Sequence, residues 1–340
     1  MFSKFIMKPQ IQLGPLKQVK ASGKYILEKE IGNGGFAKVY MGSIPKSNEK
    51  FAIKVIKRDK AKELDIMSYV ENELRIVSRL NHPNIVKVYD IIYTDDSILI
   101  VMEYMANGDL QRCIDDNFCF NLEDQVRIAL EILEALAYLH QRGISHRDIK
   151  PANIMFDKEM HAKLIDFGFC RENTNIMKTI CGTQLMMAPE VLTNHSYDGI
   201  KADIWSYGVT LHIMACRHLP FVIKSESQFV HDCKSNNLAI NIRCGGVIGW
   251  LVQACLQMNP EERLTAVQLL EFIKSQQTST IAPIPVARLT VVKRANTSAQ
   301  IQKVKLHANT PVIVRSRVCS DGNLAARINS HHELPKIQEN

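Results

Sequence analysis

Apolar and polar residues alternate through the first third of the chain and fall into helical spacing afterwards. From Tyr25, the segments YILEKEIG, FAKVYMGS and KFAIKVIK alternate with a period of two and are parted by Gly, Asn, Pro and Ser. That pattern predicts three consecutive strands joined by turns. In KELDIMSYVENELRIVSRL (62–80) the period changes. Leu64, Met67, Val70, Leu74, Val77 and Leu80 recur at three and four, predicting one amphipathic helix that His82-Pro83-Asn84 stops. IVKVYDII (85–92) and SILIVMEYM (97–105) return to strand character, so the N-terminal unit reads as five strands and one helix.

Beyond Asn107-Gly108 the chain turns helical. Asn121 and Asp124 open a long helix over 122–143, closed by Gly143. DIWSYGVTLHIMAC (203–216) is apolar on nearly all sides and predicts a buried helix. AVQLLEFIK (266–274) is the last periodic segment. Residues 1–24 read as a basic, poorly ordered lead, and 275–340, rich in Thr, Ser, Gln and Pro, as a flexible tail.

Composition narrows the classes. With 46% hydrophobic residues the chain is able to bury a full core. The net charge of +7 concentrates in the tail, where 275–340 hold nine Lys/Arg and three Asp/Glu. The near-neutral remainder gives no support to nucleic acid as a partner. Nine cysteines, an odd number without CxxC or zinc-finger spacing, read as free thiols in a reducing compartment. No signal-type leader, 18-residue apolar run, myristoylation glycine or prenylation box occurs, so a soluble, cytoplasmic protein is expected, with the nucleus still open to it.

Six short blocks stand in one order: IGNGGFAKV (31–39), FAIK (51–54), HRDIKPAN (146–153), DFG (166–168), APE (188–190) and DIWSYG (203–208). Each alone is weak. A GxG between strands is an ordinary turn, a strand lysine is usually a solvated charge, and an HRD triplet is a surface turn. As an ordered set they resemble the eukaryotic serine/threonine protein kinase domain over residues 25–274. The resemblance implies an α+β, bilobal fold, with a five-stranded antiparallel sheet and one helix in residues 25–105 and a mainly helical lobe in 106–274.

It also implies roles. Ile31, Gly32, Asn33, Gly34 and Gly35 would cover the phosphates of ATP, with Ala37 where a third glycine is usual. Lys54 would reach the phosphates, held by Glu73. Asp148 would accept the hydroxyl proton, Lys150 would offset charge on the transferred group, and Asn153 and Asp166 would bind Mg2+. Lysine two residues after that aspartate is the serine/threonine signature. Met102, Glu103 and Met105 would form the adenine-facing hinge, with Val39, Ala52 and Met155 against the ring. Val77, Val88, His146 and Phe167 would stack between the lobes, Asp109 would meet ribose or a basic substrate residue, Asp203 would brace the catalytic loop, and Glu190 would pair with Arg263. Thr179 would be the activation-loop phosphorylation site, met by Arg147 and Arg171, and Thr183 would contact Asp148 and Lys150. Gln184 and Met186 depart from the usual form and point to an unusual, apolar substrate pocket.

IDFGFCRE, CGTQLMMAPEVL and YDGIKADIWSYG look most similar to the autophagy-initiating and calcium/calmodulin-dependent kinase groups. The expected partners are proteins with Ser/Thr acceptors. The basic tail is expected to bind acidic partners or to act as a pseudosubstrate, with Thr297 and Ser298 behind Lys293 and Arg294. The competing reading is a pseudokinase scaffold or nucleotide-sensing module. Against it stands the full set of Lys54, Glu73, Asp148, Asn153 and Asp166, of which pseudokinases typically lose one or more.

Overall fold

In a computed structural model, the structure describes residues 21–22, 24–33, 37–172 and 182–278. An antiparallel sheet carries the N-terminal part. It is built from β1 (Ala21–Ser22), β2 (Tyr25–Asn33), β3 (Ala37–Ser43), β4 (Lys50–Lys57), then, after helices α1 (Arg58–Glu63) and α2 (Met67–Val77), β5 (Val88–Tyr93) and β6 (Ser97–Glu103). The order across the sheet is β1-β2-β3-β4-β6-β5. The five expected strands are present, with the two-residue β1 added at one edge. Period-two alternation sorts their side chains. Ile56, Ile98 and Ile100 face α1 and α2, while Phe51, Ile53, Leu99 and Val101 form a separate cluster with Tyr25.

The single helix expected over 62–80 is two helices. Asp65 adopts a left-handed conformation (φ 52°). Its N–H donates to Lys62 O at 3.0 Å, and the next N–H, of Ile66, donates to Ala61 O at 2.9 Å. That pair of bonds is a Schellman cap, completed by Ile66 and Ala61 buried together. Aspartate tolerates the left-handed region better than most residues, so the stop needs no glycine.

The second part is mainly helical: α3 (Leu110–Asp115), α4 (Leu122–His140), β7 (Ile144–Ser145), β8 (Ile154–Phe156), β9 (Ala162–Leu164), β10 (Arg171–Glu172), α5 (Pro189–Thr193), α6 (Gly199–Cys216), α7 (Glu226–Lys234), α8 (Gly246–Cys255) and α9 (Ala266–Thr278). α4 starts where Asn121 Oδ1 accepts from the Asp124 N–H at 2.7 Å. It buries Ile128, Ile132, Leu133, Leu136 and Leu139, each contributing about 1.5–3 kcal/mol. α6 is enclosed as its composition predicts. The Trp205 and Tyr207 side chains are fully buried, and the Tyr207 hydroxyl donates to Ala129 O at 2.9 Å. α9 runs four residues past the expected end of the periodic segment. The rest of the proposed tail, and the lead before Ala21, lie outside the described residues. No described helix is long and apolar enough to cross a membrane.

Candidate active site

Strand register sets one wall of the site. Val39 lies opposite Lys54, and Ala52 opposite Met102. Directly paired residues share a face, and Ala52 and Lys54 are two apart on β4, so all four point the same way. That face is the one turned towards α2, because Lys54 Nζ meets Glu73 Oε1 of α2 at 2.6 Å. Asp166 Oδ1 lies 3.7 Å from the same ammonium. Gly32 pairs with Val39, and a Cβ built on it would meet nothing closer than Val39, at 3.4 Å. Packing within the chain does not demand glycine there. Gly34 and Gly35 lie outside the described residues, as does Phe36 between them and Ala37.

The electrostatics follow from this geometry. Burial by itself lowers the Lys54 ammonium, but the Glu73 and Asp166 carboxylates more than reverse it and hold it above its usual value. Burial lifts the Glu73 carboxyl, against the pull of Lys54. With a cationic lysine 2.6 Å away, we take Glu73 as the carboxylate partner of the pair. Partial desolvation also works to raise Asp166, yet Lys54, His146 and Lys150 together keep it below the usual carboxylate range.

The opposite wall is the loop after α4. Asp203, buried on α6, accepts from the His146 N–H through Oδ2 and from the Arg147 N–H through Oδ1, each at 2.7 Å. His140 Nε2 sits 3.0 Å from the same carboxylate. These bonds hold Arg147 in a left-handed conformation (φ 68°) and so aim Asp148. Around Asp148, Lys150 Nζ lies 2.8 Å from Oδ2, and the Asn153 amide donates to Oδ2 at 2.9 Å and to the Asp148 carbonyl at 2.8 Å. Because Asn153 spends its NH2 group on Asp148, its amide oxygen remains for another partner. Asp166 is left-handed too (φ 62°), and Phe167 is buried with its ring 5.2 Å from that of His146. Val77 and Phe167 belong to one core cluster, with Val88 packed against it.

Thr183 closes the site from the other side. Its N–H donates to Asp148 Oδ1 at 3.2 Å, and Lys150 Nζ donates to its hydroxyl at 3.1 Å. Gly182 makes this approach possible. It has φ 106°, and a Cβ there would stand 2.7 Å from the Arg147 carbonyl oxygen. Gly182→Ala is expected to push Thr183 off Asp148 and lower kcat about 100-fold, the order of loss that an ångström's misplacement in a site brings. Steady-state kinetics check it, and an unchanged kcat would refute this role for Gly182.

The other motif residues have the following surroundings. The Glu103 carboxylate is taken up by Lys163 at 2.9 Å. Met105 is buried and Met155 partly so, while Ile31 is 43% exposed at the end of β2. Asp109 caps α3 by accepting from the Arg112 N–H at 2.8 Å. Met186 is core, not the wall of a pocket: it is 3% exposed, and its carbonyl accepts from the Ser206 hydroxyl at 2.8 Å. Arg147 donates to the Tyr197 hydroxyl at 2.8 Å and to the Phe169 carbonyl at 3.4 Å. Arg171 donates to the Cys170 carbonyl at 3.2 Å. Thr179 lies outside the described residues.

The structure adds a contact that no motif announces. Glu172 on β10 accepts from Arg79 at 2.7 Å and from Arg75, both on or just after α2. Asn72 Nδ2 donates to the Cys170 carbonyl at 2.7 Å. The start of the segment after Asp166-Phe167-Gly168 is thus fastened to the helix that carries Glu73.

Residues 25–272 match the protein kinase domain family. CBL-interacting serine/threonine-protein kinase 12 of Arabidopsis thaliana is 32% identical over 256 residues, covering 73% of this chain and 52% of its own length. CBL-interacting protein kinase 10 of Oryza sativa subsp. japonica is 31% identical over 256 residues, covering 73% and 56%. The chain spans about half the length of the curated relatives it matches. A two-lobed architecture, an ion pair joining β4 to α2, an aspartate framed by lysine and asparagine, and a family match over most of the chain converge on one conclusion: this chain belongs to the protein kinase domain family.

Proposed function

We propose that the chain is an ATP-dependent serine/threonine protein kinase whose substrates are proteins with seryl or threonyl acceptors. The observation that carries this is the arrangement around Asp148. Its carboxylate is fixed by Asn153 and Thr183 and paired with Lys150, so it is positioned to take a proton from an incoming hydroxyl. Lys150 then offsets negative charge beside that hydroxyl. Lys54, held cationic by Glu73, offers its ammonium to phosphate oxygens.

The residues present fit magnesium. The Asp166 side chain is 43% exposed, and Asn153 keeps its amide oxygen; a hard cation selects such oxygen donors. When bound, magnesium–ATP supplies the transferable phosphoryl group and the neutralisation of its charge. The names of the relatives include serine/threonine kinases, in keeping with Lys150 beside Asp148. The pseudokinase reading is not favoured, because the chain keeps Lys54, Glu73, Asp148, Asn153 and Asp166.

A peptide-library assay with radiolabelled ATP tests the proposal. Wild-type protein is expected to label seryl or threonyl acceptors, and Asp166→Ala to lose at least about 100-fold of that activity through loss of the metal ligand. Wild-type protein that binds ATP but labels no acceptor would overturn it.

A further inference from the structure

Far along the chain from the catalytic residues, α6 ends beside the loop that enters α8. His212 and Cys216 are four residues apart on α6, so their side chains share one face of the helix, one turn apart. Cys244 comes from the residues just before α8. The three candidate donor atoms, one imidazole nitrogen and two sulfurs, all lie within 4.8 Å of one another. A tetrahedral zinc ion bound by one nitrogen and two sulfurs holds such atoms roughly 3.5–3.8 Å apart, given Zn–N of about 2.0 Å and Zn–S of about 2.3 Å. The cluster therefore needs to contract by no more than about 1.3 Å to close on an ion.

The orientation of His212 is a second, independent observation. The ring is completely buried, and Nδ1 lies 2.9 Å from the His218 carbonyl oxygen. A carbonyl only accepts, so Nδ1 carries the hydrogen and Nε2 carries the lone pair. Metal-binding histidines are held in this way, one ring N–H on a backbone carbonyl and the other nitrogen presented to the ion. Nε2 accepts a long hydrogen bond, 3.2 Å, from the Arg243 N–H, and that is what an ion would replace. Cys216 and Cys244 are half-buried, so water is able to complete the coordination.

We propose that His212, Cys216 and Cys244 form a binding site for a thiophilic divalent cation, zinc in the first place, which pins the end of α6 to the start of α8. Binding through sulfur releases a proton from each thiol to solvent and leaves both sulfurs as thiolates on the metal. The spacing, His-x3-Cys followed much later by a lone Cys, matches no standard zinc pattern. Two thiolates and an imidazole prefer zinc to magnesium, so this site and the Asp166–Asn153 oxygen pair sort different metals.

Cobalt is the probe, used on the whole chain after removal of metal by a chelator. Wild-type protein is expected to show the sulfur-to-cobalt charge-transfer band and the visible bands of a four-coordinate ion, and to lose both when zinc is added. Oxygen-ligated cobalt at the nucleotide site gives no sulfur band. Cys216→Ser and Cys244→Ser should each weaken binding by more than the roughly 10–100-fold that loss of an outer partner brings. Zinc should raise the melting temperature of wild-type protein and leave that of the double variant unmoved. Three results would overturn the proposal: no sulfur band in wild-type protein, a band that persists in the double variant, or recovery of Cys216 and Cys244 joined as a disulfide.

Discussion

Asp148→Asn is expected to cut kcat by about 10²–10⁴ while nucleotide affinity stays within a few-fold of wild type. The asparagine amide keeps one oxygen acceptor for Asn153 or Thr183 but is unable to take the hydroxyl proton. It also leaves Lys150 without the carboxylate 2.8 Å away. Lys54, Glu73 and Asp166, which face the phosphates in this reading, are untouched. Single-turnover kinetics and equilibrium nucleotide binding separate the two effects. A kcat within tenfold of wild type would mean that Asp148 does not handle the proton.

Arg263→Ala is expected to destabilise the protein by about 3–5 kcal/mol, the cost of removing one member of a buried ion pair. The Arg263 side chain is fully buried. It meets both oxygens of Glu190, at 2.6 and 2.7 Å, and donates to the carbonyls of Gln257 at 2.9 Å and Lys201 at 3.0 Å. Its guanidinium also lies 5.1 Å from the centre of the Trp205 ring. Truncation strands the Glu190 carboxylate and two carbonyls together. The double variant Arg263→Met, Glu190→Leu should lose less than Arg263→Ala, because it removes the charge along with its partner. Urea unfolding of both checks the pair, and a loss below about 1 kcal/mol for Arg263→Ala would show that the carboxylate finds water or protonates at little cost.

What the chain discloses about itself depends on how local the signal is. The strands were legible because alternation repeats every two residues, and the buried α6 because apolar residues occupy nearly all its sides. Lys54, Asp148, Asn153 and Asp166 sit in short blocks whose spacing carries the resemblance, so the structure only had to bring them together. The halt at Asp65 was hidden: Leu64 and Met67 keep the helical period across it, and only the left-handed aspartate shows that the helix restarts. Met186 read as a pocket residue because a sequence position carries no burial. His140 against Asp203, and Glu172 against Arg75 and Arg79, join residues more than sixty positions apart. No periodicity or local spacing marks such pairs, and tertiary packing alone creates them.

The fastening of β10 to α2 has a mechanical consequence. Within two turns, that helix offers Asn72 to the Cys170 carbonyl, Glu73 to Lys54, and Arg75 to Glu172. These neighbours on one rigid rod grip two different parts of the molecule. A tilt that drew Glu73 away from its lysine would also tear at the hold on Cys170 and Glu172, and a slackening there would free the rod to tilt. Losing one grip would weaken the other, so the hold on Lys54 and the hold on β10 are coupled through one helix.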